Sequence, residues 1–375
     1  MILHIAGLDS IFIDMAYEIF EEVYPKQNKF IRISSENNLK YIKKAEVELI
    51  KPDKIGLVVK NLFKYKVVII HYLDYFSAKL VNLSDKNVNF HWMAWGGDYY
   101  ELMNIYDFLE PKTKRVFDKI DTKAFLINPY AYKKYKEFED NAKREKLSAI
   151  KKFKSCTFVF KEEYEFFIEK FPEFRNLIYI PWNYGTLEEH IYPNNLDECK
   201  EKLDYILVGH GASFESNHLD IFEILIRNHN LNYEKLICPL SYGFMPYRDF
   251  ILKQGYKLFG EKFYPLTEFL SLHNYIDLIS KCKYAIFNHK KQEALGNIAI
   301  TMYSGSVVFM NSNSPIYRFL KNRGAIVFDI NVLKNGNSFT LTNKEIEINK
   351  NIIKNIWGKE MIFQKTVNLI KTLKR

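Results

Sequence analysis

With 375 residues, 47% of them hydrophobic and 26% charged, the chain has globular proportions; it is too long for one typical domain and long enough for two, each with a real core. No apolar run approaches the roughly 20 residues that a membrane span requires, so an integral membrane protein is not expected. The net charge of +9 directs attention to anionic partners. The opening MILHIAGLDS carries neither a basic n-region nor a small-residue cleavage site. It therefore reads as a first strand, Ile2 to Ile5, of a protein expected to stay in the cytoplasm. Helical periodicity follows over Ile11 to Tyr24, marked by Ile11, Met15, Ile19 and Val23, and then a strand over Lys29 to Ile33. The continuous apolar run Val67 to Ile70 predicts a buried parallel strand with His71 at its carboxyl end. A further strand, Asn87 to Ala94, delivers the chain into WGGDYYEL, Trp95 to Leu102. Two glycines followed by Asp98 make a tight turn with an acid at a strand tip, where catalytic groups of α/β folds sit.

From Lys112 to Lys154 fourteen Lys/Arg stand against six Asp/Glu, interleaved with Phe117, Phe125, Tyr130, Tyr132, Tyr135, Phe138 and Phe153. Such a patch suits an anionic membrane surface or nucleic acid, and it equally suits a solvated lysine-rich helix. The chain then returns as a strand at Cys156 to Phe160, a helix at Lys161 to Lys170 and a strand at Leu177 to Ile180. The four cysteines, Cys156, Cys199, Cys238 and Cys282, lie far apart without CxxC spacing, so neither a zinc site nor a disulfide framework is expected.

The polar, acidic stretch 183–203 reads as a linker. The same grammar restarts after it, with a strand at Tyr205 to Val208, the loop GHGASFESNH and a helix at Leu219 to Arg227. Gly209, Ser216 and Asn217 give that loop the small, polar composition of a backbone that wraps a phosphate or ribose, although no GxGxxG or Walker pattern is present. Lys235 to Leu240 is the next strand, followed by SYG with Tyr242. A helix at Arg248 to Gln254, a short strand at Tyr256 to Phe259 and a helix within Leu266 to Ser280 come next. The stretch YAIFNHKKQEALGNIAITMYSGSVVFM, Tyr284 to Met310, reads as strand, polar loop, a turn at Gly296, a helix from Asn297 to Tyr303, a cap at Gly305 and a strand. A helix that starts at Gly296 and Asn297 offers unpaired N–H groups to an anion, and a diphosphate suits it. Gln292 and Glu293 precede it, with Glu293 placed to accept hydrogen bonds from a sugar or ribose hydroxyl. Ala325 to Phe328 is a last strand, and Ile346 to Lys374 reads as one long amphipathic helix. The expected domains are 1–182, the linker 183–203, 204–340, and a helical segment 341–375 that packs back on the first domain.

The motifs His4 with Gly7 and Asp9, His71, WGGDYYEL, ILVGHGASFESNH (Ile206 to His218), PLSYG (Pro239 to Gly243) and QEALGN (Gln292 to Asn297) run through most of the chain. Together they resemble the 4-acetamido-4,6-dideoxy-galactose (Fuc4NAc) transferase family of bacterial surface-polysaccharide assembly. The resemblance implies an α/β GT-B fold, two Rossmann-like domains facing each other across a cleft. It implies an inverting glycosyltransferase that passes a deoxyamino sugar from a dTDP-sugar to a polyprenyl-diphosphate-linked glycan. The expected location is peripheral, on the anionic cytoplasmic face of the inner membrane, with no nucleic acid, no cofactor and no obligatory metal. Retaining GT-B enzymes usually carry a second glutamate about five residues before the glycine that here is Gly305, and Ile300 and Thr301 stand there, which favours inversion.

An inverting transferase needs a general base for the acceptor hydroxyl. Asp98 is the first candidate, His71 the second and Asp9 the third, each with an ordinary alternative: a helix cap, a satisfied core histidine, an N-cap. On the donor side Gly209, Ser216, Asn217, Gln292, Glu293, Gly296 and Asn297 suit the departing diphosphate and the sugar, and Tyr242 suits stacking on the base. No DxD motif implies a metal. Lys133, Lys134 and Lys136 are expected to meet the membrane or the acceptor. A different nucleotide sugar, UDP- or GDP-linked, with a capsule or O-antigen acceptor, and a non-catalytic basic binding protein on the same scaffold, are the alternatives.

Overall fold

The computed structural model describes residues 1–193, 201–228, 231–335 and 338–374; Cys199 and the Phe125 side chain, both named above, lie outside the described set. The chain divides into two compact units. The first comprises 1–103, 130–186 and 357–375, and the second 104–129 and 187–356. Each is an α/β unit around one parallel sheet.

In the first unit the strands are β1 (Ile2–Ala6), β2 (Asn28–Ile33), β3 (Val47–Ile50), β4 (Val67–His71), β5 (Phe90–Met93), β6 (Ser155–Thr157) and β7 (Ile178–Tyr179). They lie in the order β3-β2-β1-β4-β5-β6-β7. The helices of the first half of the chain are α1 (Ile11–Val23), α2 (Ile55–Asn61), α3 (Tyr75–Leu83), α4 (Gly97–Tyr100), α5 (Pro111–Ile127), α6 (Pro129–Ile150) and α7 (Lys161–Lys170). Strands β1 and β4 are buried along their whole length, as a parallel strand covered on both faces must be. In α1 the apolar spacing turns Ile13, Ala16, Ile19 and Phe20 inward, and Ser10 caps its first turn by accepting from the Phe12 N–H at 3.4 Å.

The second unit holds β8 (Leu203–Val208), β9 (Lys235–Pro239), β10 (Phe263–Leu266), β11 (Cys282–Phe287), β12 (Val307–Met310) and β13 (Phe328–Asp329). Their order is β10-β9-β8-β11-β12-β13. The remaining helices are α8 (His218–Arg227), α9 (Met245–Phe259), α10 (Leu272–Ser280), α11 (Leu295–Tyr303), α12 (Pro315–Asn322), α13 (Asn343–Trp357) and α14 (Lys359–Leu373). Every pairing among the described residues of both sheets is parallel, and in each sheet the strand order reverses once, between β1 and β4 and between β8 and β11. Ligands of open α/β sheets bind beyond the carboxyl ends of the strands at such a reversal.

Several expectations are corrected. The segment 104–129, expected in the first domain, groups with the second unit. Leu109 and Val116 join the core formed by Ile221, Phe222 and Leu225, and Asp220 accepts from the Lys112 and Thr113 N–H groups at 2.9 and 3.1 Å. Of the expected linker, 183–186 groups with the first unit and the described residues from Leu187 onward with the second. Tyr256 to Phe259, expected as a strand, is the last turn of α9, and the strand follows at Phe263. The expected C-terminal helix is two helices broken at Gly358. The second of them, α14, lies in the first unit, where Ile362, Leu369, Ile370 and Leu373 pack with Ile2, Phe20 and Trp182. The Trp182 Nε1–H donates to Thr366 Oγ1 at 2.8 Å there. Cys156, Cys238 and Cys282 are buried free thiols.

Candidate active site

The second unit places its polar loops where the sheet reverses. Gly209 follows β8 with φ +68°, and a Cβ there would lie 2.8 Å from His218 Nε2; one on Gly211 would meet the Tyr242 ring at the same distance. Glycine is what lets this loop fold so tightly. Ser216, expected to touch the donor, is fully buried, and its hydroxyl bonds the Gly211 carbonyl at 3.2 Å and Ser213 Oγ at 3.0 Å. Asn217, also expected there, is instead a fastener. Held in the left-handed region at φ +52°, it donates to the carbonyls of Phe108, Glu215 and Asn288 and accepts from the Glu110 N–H at 2.8 Å. Its two N–H donors are fully used by backbone carbonyls of its own unit.

Opposite this loop, β11 ends at Phe287 and the chain runs through His289, Lys291, Gln292 and Glu293 into α11. The helix begins two residues earlier than its sequence pattern predicts, at Leu295, behind Ala294 in the left-handed region at φ +60°. A non-glycine residue held there costs free energy, and such strain gathers at functional loops. Gly296 is exposed in the first helical turn, and an added Cβ would meet nothing within 4 Å. The open helix end expected from the sequence is therefore present, and Asn297 beside it donates to the Tyr275 hydroxyl at 2.8 Å. Tyr242 is 46% exposed and stacks on Phe269, with ring planes 11° apart.

Glu293 is held from one side by Lys291, whose ammonium lies 3.0 Å from Oε1 and 2.8 Å from Glu215. Its other oxygen faces His289 Nε2 at 3.7 Å and His210 Nε2 at 4.0 Å. The two rings meet at 3.0 Å, His210 Nδ1 to His289 Nε2. Burial holds both imidazoles below their ordinary pKa, His289 well below, with the Glu293 carboxylate pulling His210 the other way. Sequence reading missed both histidines. His210 stands in a glycine loop and His289 among lysines, and only the adjacency of β8 and β11 joins them.

In the first unit the three candidate bases serve the scaffold. Asp98 is fully buried in α4, the short helix after β5, its Oδ2 accepting from the Leu73 N–H at 2.9 Å and Trp92 Nε1–H at 2.8 Å, and its Oδ1 from the Trp95 N–H at 2.9 Å. It ties Leu73, beyond the end of β4, to the stretch from Trp92 to Asp98. His71 is fully buried as well, between the Tyr184 hydroxyl at 2.6 Å and His4 Nδ1 at 2.9 Å. The tautomers follow from the partners. Trp95 Nε1–H donates to the Tyr184 hydroxyl, which donates to His71 Nδ1; His71 Nε2–H donates to His4 Nδ1, and His4 Nε2–H to Asn28 Oδ1. Both rings are thus neutral, and burial pushes His4 down to about 3. Asp9 spends its carboxylate on the N–H groups of Lys40, Tyr41 and Ile42, pinning that loop. Burial raises its pKa, but those bonds and the Arg32 charge outweigh burial and leave it below the usual range.

Lys133, Lys134 and Lys136 are exposed on α6, near the exposed rings of Tyr130, Tyr135 and Phe138. The Lys134 ammonium lies 4.7 Å over the Tyr130 ring, and Lys136 pairs with Glu139 at 3.2 Å. No described helix is long and apolar enough to cross a membrane.

A family model described as 4-alpha-L-fucosyltransferase, glycosyl transferase group 56, matches residues 145–358, more than half of the chain. The chain belongs to this glycosyltransferase family. The group 56 chain also shares its whole-length fold with solved structures. A glycosyltransferase from Rickettsia africae ESF-5 is 14% identical with a TM-score of 0.65, covering 99% of this chain and 98% of that one. Anabaena Alr3699/HepE, solved in complex with UDP, is 10% identical with a TM-score of 0.64 and 99% coverage of both chains. An E. coli protein bound with UDP-2-fluoro glucose is 9% identical with a TM-score of 0.62, over 100% of this chain and 99% of that one. At such identities the likeness is one of fold, the α/β GT-B architecture of two parallel sheets.

Proposed function

We propose that this group 56 glycosyltransferase moves, with inversion, a Fuc4NAc-like deoxyamino sugar from a dTDP-sugar to a polyprenyl-diphosphate-linked glycan at the cytoplasmic face of the inner membrane. The observation that carries the donor site is the open first turn of α11. There Gly296 leaves space above the N–H groups of residues 295–297, which have no carbonyl partner within the helix. These donors and the helix dipole favour the negative charge that grows on the leaving diphosphate. The stacked, half-exposed Tyr242 offers an aromatic face for the base. Inversion is supported by Ile300 and Thr301, which are buried in α11, with Thr301 Oγ1 donating to its own helix at the Asn297 carbonyl, 2.7 Å away. Membrane attachment is supported by the exposed lysines and aromatic rings of α6, each basic residue near an anionic surface contributing roughly 1 kcal/mol.

The test is a thermal-shift panel of dTDP-, UDP- and GDP-sugars. A ligand at 100 times its Kd stabilises the fold by about 2.7 kcal/mol. Stabilisation by the dTDP-sugar that is lost in Gly296→Val and weakened in Tyr242→Ala is the expected outcome. The valine meets no protein atom within 4 Å of its Cβ, so the fold itself is spared. Unchanged nucleotide affinity in both variants refutes this site. Preference for UDP would support the second reading, a UDP-sugar donor, which the UDP held by Anabaena HepE favours.

A further inference from the structure

The reversal of strand order in the second sheet brings His210, just beyond β8, against His289 and Glu293, just beyond β11. We propose that these three side chains form a binding site for one divalent transition-metal cation of the zinc class. The absence of a DxD motif argued against a metal from the sequence, but that motif concerns paired carboxylates, and the cluster here is two imidazoles and one carboxylate.

The geometry fits first. One ligand atom from each residue lies within 4.8 Å of the others, with His289 Nε2 3.7 Å and His210 Nε2 4.0 Å from Glu293 Oε2. Zinc with bonds of about 2.0–2.2 Å holds neighbouring ligand atoms about 3–3.5 Å apart, so side-chain shifts of up to about 1 Å close the site. His210 offers one nitrogen to a single cation, either Nε2, 4.0 Å from Glu293 Oε2, or Nδ1, 3.0 Å from His289 Nε2. Two imidazoles and a carboxylate suit zinc and its first-row neighbours better than magnesium or calcium, which select oxygen.

Electrostatics supplies the second, independent reason. Lys291 engages Glu293 Oε1, whereas Oε2 is buried and has no hydrogen-bond partner. A buried carboxylate oxygen without a donor is costly. The ion pairs around it bring one positive charge, Lys291, to two negative ones, Glu215 and Glu293. A cation between Oε2 and the rings removes both deficits.

The site stands on these three side chains and not on the identity of the donor, so its test reads the metal directly. Full-length protein, stripped with a chelator, is titrated with Zn²⁺ alone by calorimetry and with Co²⁺ by visible absorption. One equivalent should bind, with d–d bands of a low-coordinate Co²⁺ site. His289→Ala and Glu293→Gln should each weaken binding at least about tenfold, as should His210→Ala, whose less buried ring makes it the safer variant for folding. His273→Ala, at an exposed histidine outside the cluster, should bind as wild type. Absence of stoichiometric Zn²⁺ binding, or equal affinity in the wild type and the folded cluster variants, overturns the proposal, whatever nucleotide the enzyme prefers.

Discussion

Replacing Asp98 by asparagine separates a structural carboxylate from a catalytic one. The side chain accepts three hydrogen bonds, two at Oδ2 from Leu73 N–H and Trp92 Nε1–H and one at Oδ1 from Trp95 N–H. Asparagine best serves them with its carbonyl at the Oδ2 position, which turns its NH₂ against the Trp95 N–H. One buried donor is then stranded, at a cost of about 1–3 kcal/mol. For a unit of 150–250 residues each kcal/mol moves the melting midpoint about 2–4 °C, so Asp98→Asn should melt roughly 2–12 °C below wild type. Asp98→Ala strands three donors and should do worse. Thermal denaturation followed by near-UV circular dichroism reads the shift, and turnover is measured at a temperature where both proteins are folded. There Asp98→Asn should keep turnover within a few-fold of wild type. A variant that melts like wild type while turnover falls by roughly 10²–10⁴, the usual contribution of a general base, would refute the structural assignment and return Asp98 to the chemistry.

Acid should destabilise the first unit. His4 and His91 are neutral and held at about 3 in the fold by burial, against about 6.5 when unfolded. Their contribution is present above pH ~6.5 and is lost as the pH falls toward 3, at about 1.4 kcal/mol per pH unit for each ring. Urea denaturation at pH 7.5, 6 and 5 measures it, and a stability that is flat over that range contradicts the assignment. Charge reversal of Lys133, Lys134 and Lys136 to glutamate should release the protein from vesicles containing anionic lipid, and salt should do the same to wild type as the screening length shrinks below ~8 Å. Turnover on a short water-soluble acceptor should be unchanged. Wild-type protein that ignores anionic vesicles at low salt yet binds single-stranded nucleic acid would overturn the membrane reading.

The fold was readable wherever burial imposes one pattern. Val67 to Ile70, Tyr284 to Phe287 and Val307 to Met310 are apolar runs of strand length between turn signals, and all three are buried parallel strands. Reading failed where local pattern and tertiary partner disagree. Tyr256 to Phe259 has the composition of a strand, yet it continues α9 because Gly255 lets the helix press against Phe263, whose ring a Cβ would meet at 2.3 Å. Residues 104–129 precede in sequence the last strands of the first unit. Their assignment to the second rests on Asp220 and Asn217, more than a hundred residues away, and no local signal announces such bonds.

The site shows the same division more sharply. The open helix start at Gly296 was legible because an exposed glycine there is a local feature with a local reason. Asp98 and His71 were singled out by a sound rule, that strand tips carry chemistry, but the rule says where a side chain begins and not which donors surround it. Trp92, Trp95 and Leu73 claim Asp98, and Tyr184 and His4 claim His71; three of these five partners, Leu73, Tyr184 and His4, are far from the claimed residue in sequence and near it only in space. His210 and His289 invert the case. Each is unremarkable in its own loop, and strand order alone, β8 beside β11, turns two ordinary loop histidines into a pair 3.0 Å apart with a carboxylate oxygen facing them. A cation site made this way depends on the crossover of the sheet, so removing one ring should cost metal affinity while leaving the sheet and the first turn of α11 in place.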